Sequence, residues 1–161
     1  MDFSYIISGT PEVLAGLQSL PDRLRVELNT EMEDIVAYLA MYVVTDKLSG
    51  QVLAQRSGRL AGSVGGGVTT DAGGTVTGTV TADAPYAGIQ ERGGVTKPHT
   101  ILPVTGRALK FRLGDQDVFA SRVKHPGSVM PERSYLRSSL VDLHDRIVGD
   151  LSDAVARSIR P

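Results

Sequence analysis

The sequence predicts an α+β fold, in which a small antiparallel β-sheet packs against a long N-terminal helix and a C-terminal helix. Two observations carry this prediction. Apolar residues recur at steps of three and four near both ends of the chain, and residues alternate with a period of two between them. A single domain is expected over residues 1–161, with a helix over 11–48, sheet and loops over 60–126, and a helix over 131–159. Such segregation of helices from strands is typical of the α+β class.

The N-terminal helix is predicted from its start signal and from one apolar stripe. Thr10-Pro11-Glu12 combines a capping hydroxyl, a proline at the first helical position and an acid. Pro21 is expected to break the helix and restart it, and Ser49-Gly50 to end it. The stripe after the break consists of Leu24, Leu28, Met32, Ile35, Leu39 and Val43.

The sheet is predicted to begin with a hairpin in residues 63–83. Four threonines at odd positions from Thr75 to Thr81 alternate with smaller or apolar residues, which indicates a strand with a hydroxyl face and an apolar face. Residues 71–74 read as its turn. Further strands are expected at 108–113 and 118–123, whereas 92–106 and 124–130, rich in Gly, Pro and cations, are expected to be irregular loops.

The last helix is expected to open at Pro131. Its apolar stripe is predicted to comprise Leu136, Leu140, Leu143, Ile147, Leu151, Val155 and Ile159.

Composition narrows the class of protein. The chain has 161 residues, a net charge of -1 and no cysteine. A globally basic nucleic-acid binder, a disulfide framework and a thiolate metal site or nucleophile are therefore excluded. No apolar run approaches the ~18 residues of a membrane helix, and the first residues lack the features of a signal peptide. We expect no membrane partner and synthesis in the cytoplasm.

Charge is distributed unevenly along the chain. Residues 1–48 carry three basic and eight acidic side chains, whereas residues 92–137 carry nine basic and three acidic ones. A molecule with one acidic and one basic part can stack head to tail on copies of itself. Solvated faces without a partner explain the same pattern equally well.

Catalytic constellations are weak. His99, His125 and Glu91 could meet at a metal, but their spacing matches no compact ligand motif. Ser57 lies in no Gly-x-Ser-x-Gly elbow. Sequence-specific DNA binding is not expected, because the basic segment offers few aromatics for base stacking. We therefore predict no enzyme, no cofactor and no metal, with a small hydrolase or metal enzyme as the distant alternative.

Three short motifs occur in a characteristic order. Ser57-Gly58-Arg59-Leu60 precedes the predicted hairpin, and a Tyr-Ala-x-x-x-Glu-x-Gly-Gly segment, residues 86–94, follows it. Pro131-Glu132-Arg133-Ser134-Tyr135-Leu136 comes at the start of the last helix. In this order the chain resembles the tail-completion and head–tail joining proteins of long-tailed bacteriophages and related gene-transfer particles. The resemblance covers roughly residues 20–160, and the glycine-rich hairpin and the loop from Gly94 to Ala108 depart from it.

The resemblance implies a structural virion protein of the tail or neck. Copies would form a ring, most simply a hexamer, at the head-proximal end of the tail. The ring would terminate the tail tube, contact the tail tube protein on one side and the head–neck stopper or connector protein on the other, and let DNA pass through its channel. A neck adaptor of the same particle is the alternative that the resemblance leaves open.

Interface residues are predicted from side-chain chemistry within this picture. Arginines suit carboxylates of a neighbouring subunit, and a tyrosine offers an apolar ring with a polar tip. The predicted interface residues are Arg59, Tyr86, Glu91, Lys110, Arg112, Arg122, Lys124 and Arg133.

Overall fold

A computed structural model describes residues 10–54 and 56–160, and the chain divides into two compact units. The helical unit comprises the chain up to Ala87 and from Ser134 onward, and the β-ribbon unit comprises Gly88–Arg133. The predicted α+β class is confirmed, with a long N-terminal helix, C-terminal helices and small antiparallel sheets. The strands form four separate two-stranded pairs rather than one sheet.

Helix α1 runs through Thr10–Tyr42 without interruption, so the predicted break at Pro21 is wrong. A proline in a helix interior removes one backbone hydrogen bond. Side chains supply extra bonds next to it, since Ser19 Oγ and Arg23 Nη2 both donate to the Gly16 carbonyl. Arg23 Nη1 also donates to the Arg160 carbonyl, 3.0 Å away, and so ties this turn to the C-terminal helix.

The chain beyond α1 continues as a wider helical turn, Val43–Gln51, which includes Gly50 with a φ of 130°. A positive φ of this kind favours glycine because it has no Cβ. This segment carries the core of the helical unit, in which Val43, Leu48, Ala61 and Tyr135 pack together. The helix thus ends close to the predicted Ser49-Gly50.

Strands β1 (Val64–Thr70) and β2 (Val76–Ala82) form the predicted hairpin. Its turn is held by Asp71, whose Oδ1 accepts a hydrogen bond from the Thr75 amide. This bond is the main cause that lowers the pKa of Asp71. The hairpin packs against α1 at Gly66 and Gly78, where Val36 occupies the space that a Cβ would need. Glycine at these positions therefore allows helix and hairpin to pack closely.

Two helices, α3 (Leu136–Asp142) and α4 (His144–Ile159), replace the single C-terminal helix predicted from Pro131. The predicted stripe is only partly right. Leu136, Leu143, Ile147 and Leu151 are partly buried, whereas Leu140, Val155 and Ile159 are exposed. Near the end of the helix the buried positions are Ala154 and Ser158 instead. Arg157 fixes α4 to α1 by pairing with Glu27 and Glu31, and these two partners raise its pKa.

A buried lysine joins the turn after α1 to the end of α3. Lys47 Nζ lies 2.6 Å from Asp142 Oδ2, and Tyr42 Oη donates to the same oxygen. Burial of the cation requires such a partner, because an unpaired charge in the interior is costly. The hydrogen bonds from Lys47 and then Tyr42 lower the pKa of Asp142, and desolvation followed by the bond to Asp142 raises the pKa of Tyr42.

The β-ribbon unit begins with the short helix α2 (Ala87–Arg92) and then folds back on itself as nested strand pairs. The pairs, from the base to the tip, are β3 (Gly94–Val95) with β8 (Val129–Met130), β4 (His99–Ile101) with β7 (Val123–His125), and β5 (Leu109–Leu113) with β6 (Gln116–Ala120). The strands predicted at 108–113 and 118–123 are found with shifted bounds.

The segments expected to be irregular loops, 92–106 and 124–130, pair with each other instead. The pairs β3–β8 and β4–β7 share one register, which would place Pro98 opposite Pro126. Since proline has no amide hydrogen, it interrupts the ladder between the two pairs. The Thr96 amide still donates to the Ser128 carbonyl in that gap, 2.9 Å away, so the segments form one interrupted ribbon.

The predicted helix start at Pro131 is also wrong for a local reason. The Arg133 amide donates to the Gln90 carbonyl instead of entering a helix. Gly93, with a φ of 68°, lies so near the backbone of residues 130–132 that a Cβ there would be 2.7 Å from the Glu132 nitrogen. These contacts hold the chain on a non-helical path up to the end of the β-ribbon unit.

Candidate interaction surfaces

The stem of the ribbon, formed by β3–β8 and β4–β7, has one apolar face. Paired residues of an antiparallel ladder point to the same side, and every second pair shares that side. The shared register therefore places Val95, Val129, Ile101 and Val123 on one face, together with His99 and His125. Val95 and Val129 are 71% and 79% exposed. The stem thus presents apolar side chains that the chain itself does not cover.

The two histidines on this face stack across the strands. Their ring centroids are 5.0 Å apart with an interplanar angle of 25°. His99 Nδ1 donates to the Lys97 carbonyl, and His125 Nδ1 accepts from the Gly127 amide. The two neutral rings are therefore opposite tautomers. His99 carries its hydrogen on Nδ1 and keeps a lone pair on Nε2, whereas His125 carries its hydrogen on Nε2. The pair is built to pack rather than to chelate.

The tip of the ribbon, the hairpin β5–β6, is amphipathic. Its register places Leu109, Phe111, Leu113, Val118 and Ala120 on one face. Lys110, Arg112, Asp117 and Phe119 share the other face. On that second face Lys110 pairs with Asp117, 2.8 Å apart, and lies over the Phe119 ring. The first face, in contrast, carries no charged side chain.

The structure brings together some of the predicted interface residues and separates others. Lys110, Arg112, Arg122 and Lys124 all lie on the distal half of the β-ribbon unit and are exposed. Glu91, in α2, and Arg133 lie at the two ends of the same unit. Arg59 and Tyr86 belong to the helical unit, where both are exposed.

The helical unit presents an exposed stripe on α1, on the side away from the glycine contacts with the hairpin. Val26, Ala37 and Met41 recur there at helical spacing, and Val26 is 63% exposed. Glu33 and Asp34 lie on or beside the same stripe and form no ion pair with a described residue. This surface mixes apolar and acidic side chains, as the ribbon mixes apolar and basic ones.

A groove lies between α1 and α4 in the helical unit. It holds about 210 Å³ and is lined by acidic, apolar and aromatic side chains, including Asp34, Ile35, Tyr38 and Ile147. Arg146 fills one side, with its guanidinium 3.7 Å from the centre of the Tyr38 ring. Asp150 pairs with the same arginine, so the guanidinium in the groove already has partners in the chain.

Within residues 10–54 and 56–160, no cluster of three or more His, Cys, Asp or Glu side chains is arranged to hold a metal ion. Across the same residues, no helix is both long and apolar enough to cross a membrane. No protein-family model, curated protein or solved structure matches this chain.

The sequence does not predict the apolar face of the stem or the exposed apolar residues on α1, although it does predict that α1 is acidic. The alternation of Val95, Lys97, His99 and Ile101 is a strand signal, but the Gly and Pro residues around it favour a loop. The stripe of α1 contains only three apolar residues among polar ones, so its periodicity is faint next to that of the buried face.

Proposed function

We propose that this protein is a structural component of a bacteriophage-like particle. Its copies would form a ring, expected to be a hexamer, at the head-proximal end of the tail. The ring would terminate the tail tube and join it to the neck, leaving a channel for DNA. The motifs around Arg59, Glu91 and Arg133 support the family, and one structural observation supports an assembly role.

That observation is the absence of a core in the β-ribbon unit. No residue between Gly88 and Arg133 is buried. Apolar side chains there are widely exposed, among them Val104 at 96% and Leu113 at 71%. A two-stranded ribbon is at best marginally stable alone in water, and exposed apolar surface of this extent is typical of protein–protein contact. A partner that covers the ribbon would both stabilise it and give it a function.

The charge distribution favours another copy of the same chain as that partner. The β-ribbon unit carries eight basic and four acidic side chains, whereas the whole chain has a net charge of -1. The rest of the chain is therefore net acidic. A basic surface and an acidic surface on one molecule form a head-to-tail contact, which closes into a ring when the rotation between copies is right.

The direct test is imaging of the purified protein by negative stain, with its mass measured by light scattering over a range of concentrations. The same sample is then mixed with the tail tube protein of the same particle. Rings with an open centre, alone or at the end of tubes, are expected. A monomer under both conditions contradicts the proposal.

A further inference from the structure

The β5–β6 hairpin offers one face that is suited to bury against protein. Leu109, Phe111 and Leu113 line it from one strand, and Val118 and Ala120 from the other. Phe111 is partly exposed and Leu113 largely exposed. Leu109, Val118 and Ala120 are partly buried, so Phe111 and Leu113 provide the exposed apolar area that can pack against a second surface.

Two arginines, Arg107 and Arg122, flank this face at the base of the hairpin. Neither forms an ion pair with a described residue. The apolar face is thus bordered by positive charges that remain available to an acidic partner.

The exposed stripe of α1 has the complementary character. Val26, Ala37 and Met41 supply apolar contact, and Glu33 and Asp34, which form no ion pair with a described residue, supply negative charge. Each surface combines apolar groups with nearby charges of one sign. The opposite charges of the two surfaces set the orientation of the contact, while the apolar groups are buried in it.

We propose that the apolar face of β5–β6 in one copy packs on the exposed stripe of α1 in a second copy. The proposal deepens the proposed ring and rests on it for the identity of the partner. Arg107 and Arg122 lie near Glu33 and Asp34 of the neighbour. Such a contact joins two different surfaces, so each copy donates one hairpin and accepts one.

A nucleic acid is the competing partner for the ribbon, and the faces tell the two apart. Bases stack on exposed aromatic rings among cations, and this chemistry belongs to the opposite face of the hairpin, with Lys110, Arg112 and Phe119. The docking face of the hairpin carries Leu113, which is 71% exposed, and no charged side chain. It favours protein over phosphate.

The first experiment compares Phe111→Ala with Phe119→Ala, matched aromatic truncations on the two faces of one hairpin. Sedimentation measures self-association, and retention on a DNA column measures DNA binding. Phe111→Ala should weaken self-association at least about 10-fold, as for a central aromatic anchor, and Phe119→Ala less than about 2-fold. Equal effects overturn the proposal. Salt-sensitive DNA retention lost only in Phe119→Ala also overturns it, in favour of nucleic acid.

The second experiment locates the contact between copies. The chain has no cysteine, so each variant carries a single one. Leu113→Cys is mixed with Ala37→Cys and joined by a short bismaleimide. A product from two different variants can only link two chains. The control is Leu113→Cys mixed with Val148→Cys, an exposed position on α4. The Ala37 pair should cross-link at least about five times more, and equal yields contradict the proposal.

Circular dichroism and thermal unfolding of each variant confirm that the helical unit is intact. The outcomes also separate this inference from the proposed function. Rings that assemble but do not link Leu113→Cys to Ala37→Cys overturn the docking site and leave the ring. Absence of assembly with and without the tube protein overturns both.

Discussion

The packing of α1 on the β1–β2 hairpin makes a sharp prediction at Gly66. A Cβ added there would lie 2.5 Å from Val36 Cγ1 and 2.8 Å from the Thr79 carbonyl oxygen. Carbon atoms in good contact are about 3.5–4.0 Å apart, so the helix and hairpin must separate by roughly 1 Å. Val36 cannot move aside easily, because a β-branched side chain in a helix has essentially one χ1 rotamer.

The expected cost follows from this overlap. Overpacking a filled site destabilises a protein by about 1–3 kcal/mol. Gly65 and Gly67, the neighbours in the same strand, have no atom within 4 Å of an added Cβ. Alanine at either of these positions should stabilise by about 0.5–1 kcal/mol, since it removes the glycine penalty of a strand interior. The matched variants should therefore differ by about 1.5–4 kcal/mol.

Thermal unfolding by circular dichroism measures the difference. For a chain of this size each kcal/mol shifts the Tm by about 2–4 °C. Gly66→Ala should unfold several degrees below wild type and Gly65→Ala slightly above it. Adding Val36→Ala to Gly66→Ala should cost less than Val36→Ala alone, because the clash is relieved. If Gly65→Ala and Gly66→Ala have the same Tm, the described packing is wrong.

Three further predictions concern other parts of the chain. Asp142→Asn should lower the Tm at pH 6. Hydrogen bonds hold the folded-state pKa of Asp142 below the usual value of about 3.9, so the stability that the carboxylate contributes is lost as the pH falls through the lowered pKa. The difference in Tm between wild type and variant should therefore shrink below about pH 4. Tyr135→Ala, at a fully buried position, should cost about 3–5 kcal/mol in urea unfolding, whereas Tyr86→Ala, at a position that is 37% exposed, should cost clearly less. Gly127→Ala should open the ribbon stem and speed tryptic cleavage within it. Gly127 has a φ of 93°, and a Cβ at this position would collide with the Thr96 carbonyl. An unchanged rate of cleavage would contradict the pairing of the stem strands.

Periodicity was enough to predict the elements that bury one face. The helical stripe through Ile35 and Val43 and the strand alternation around Val80 reflect packing against a core, which leaves a regular pattern in the sequence. The turn at Asp71 was equally readable, since its carboxylate caps the backbone locally. These features depend on neighbours in sequence or on one buried face.

Prolines account for most of what the sequence did not predict. Pro21 stays inside α1, where the nearby Arg23 bonds to the Gly16 carbonyl and also reaches the Arg160 carbonyl at the end of α4. Pro131 does not start a helix because the Arg133 amide is bonded elsewhere. Pro98 and Pro126 make their segments look like loops, although the two segments pair with each other as a ribbon. In each case contacts remote in sequence override the local preference.

The charge of the candidate surfaces could be predicted from the sequence, but which side of each element is apolar and exposed could not. The basic segment that contains Arg112 and Arg122 was evident from composition, and both residues lie in the β-ribbon unit. Which side of the hairpin is apolar follows from the pairing of Phe111 with Val118, and that pairing depends on the turn at Gly114. The assignment of the chain to a tail ring stays a prediction.

Deletion of the hairpin tests the central claim, that the β-ribbon unit drives assembly, most directly. Ile101 and Val123 are directly paired, so residues 102–122 can be replaced by Asn-Gly, a two-residue turn that preserves the register of the stem. Analytical ultracentrifugation then compares the full and shortened chains. The account predicts rings for the full chain and a monomer with unchanged helical-unit Tm for the shortened one. A shortened chain that assembles as well as the full chain would contradict it.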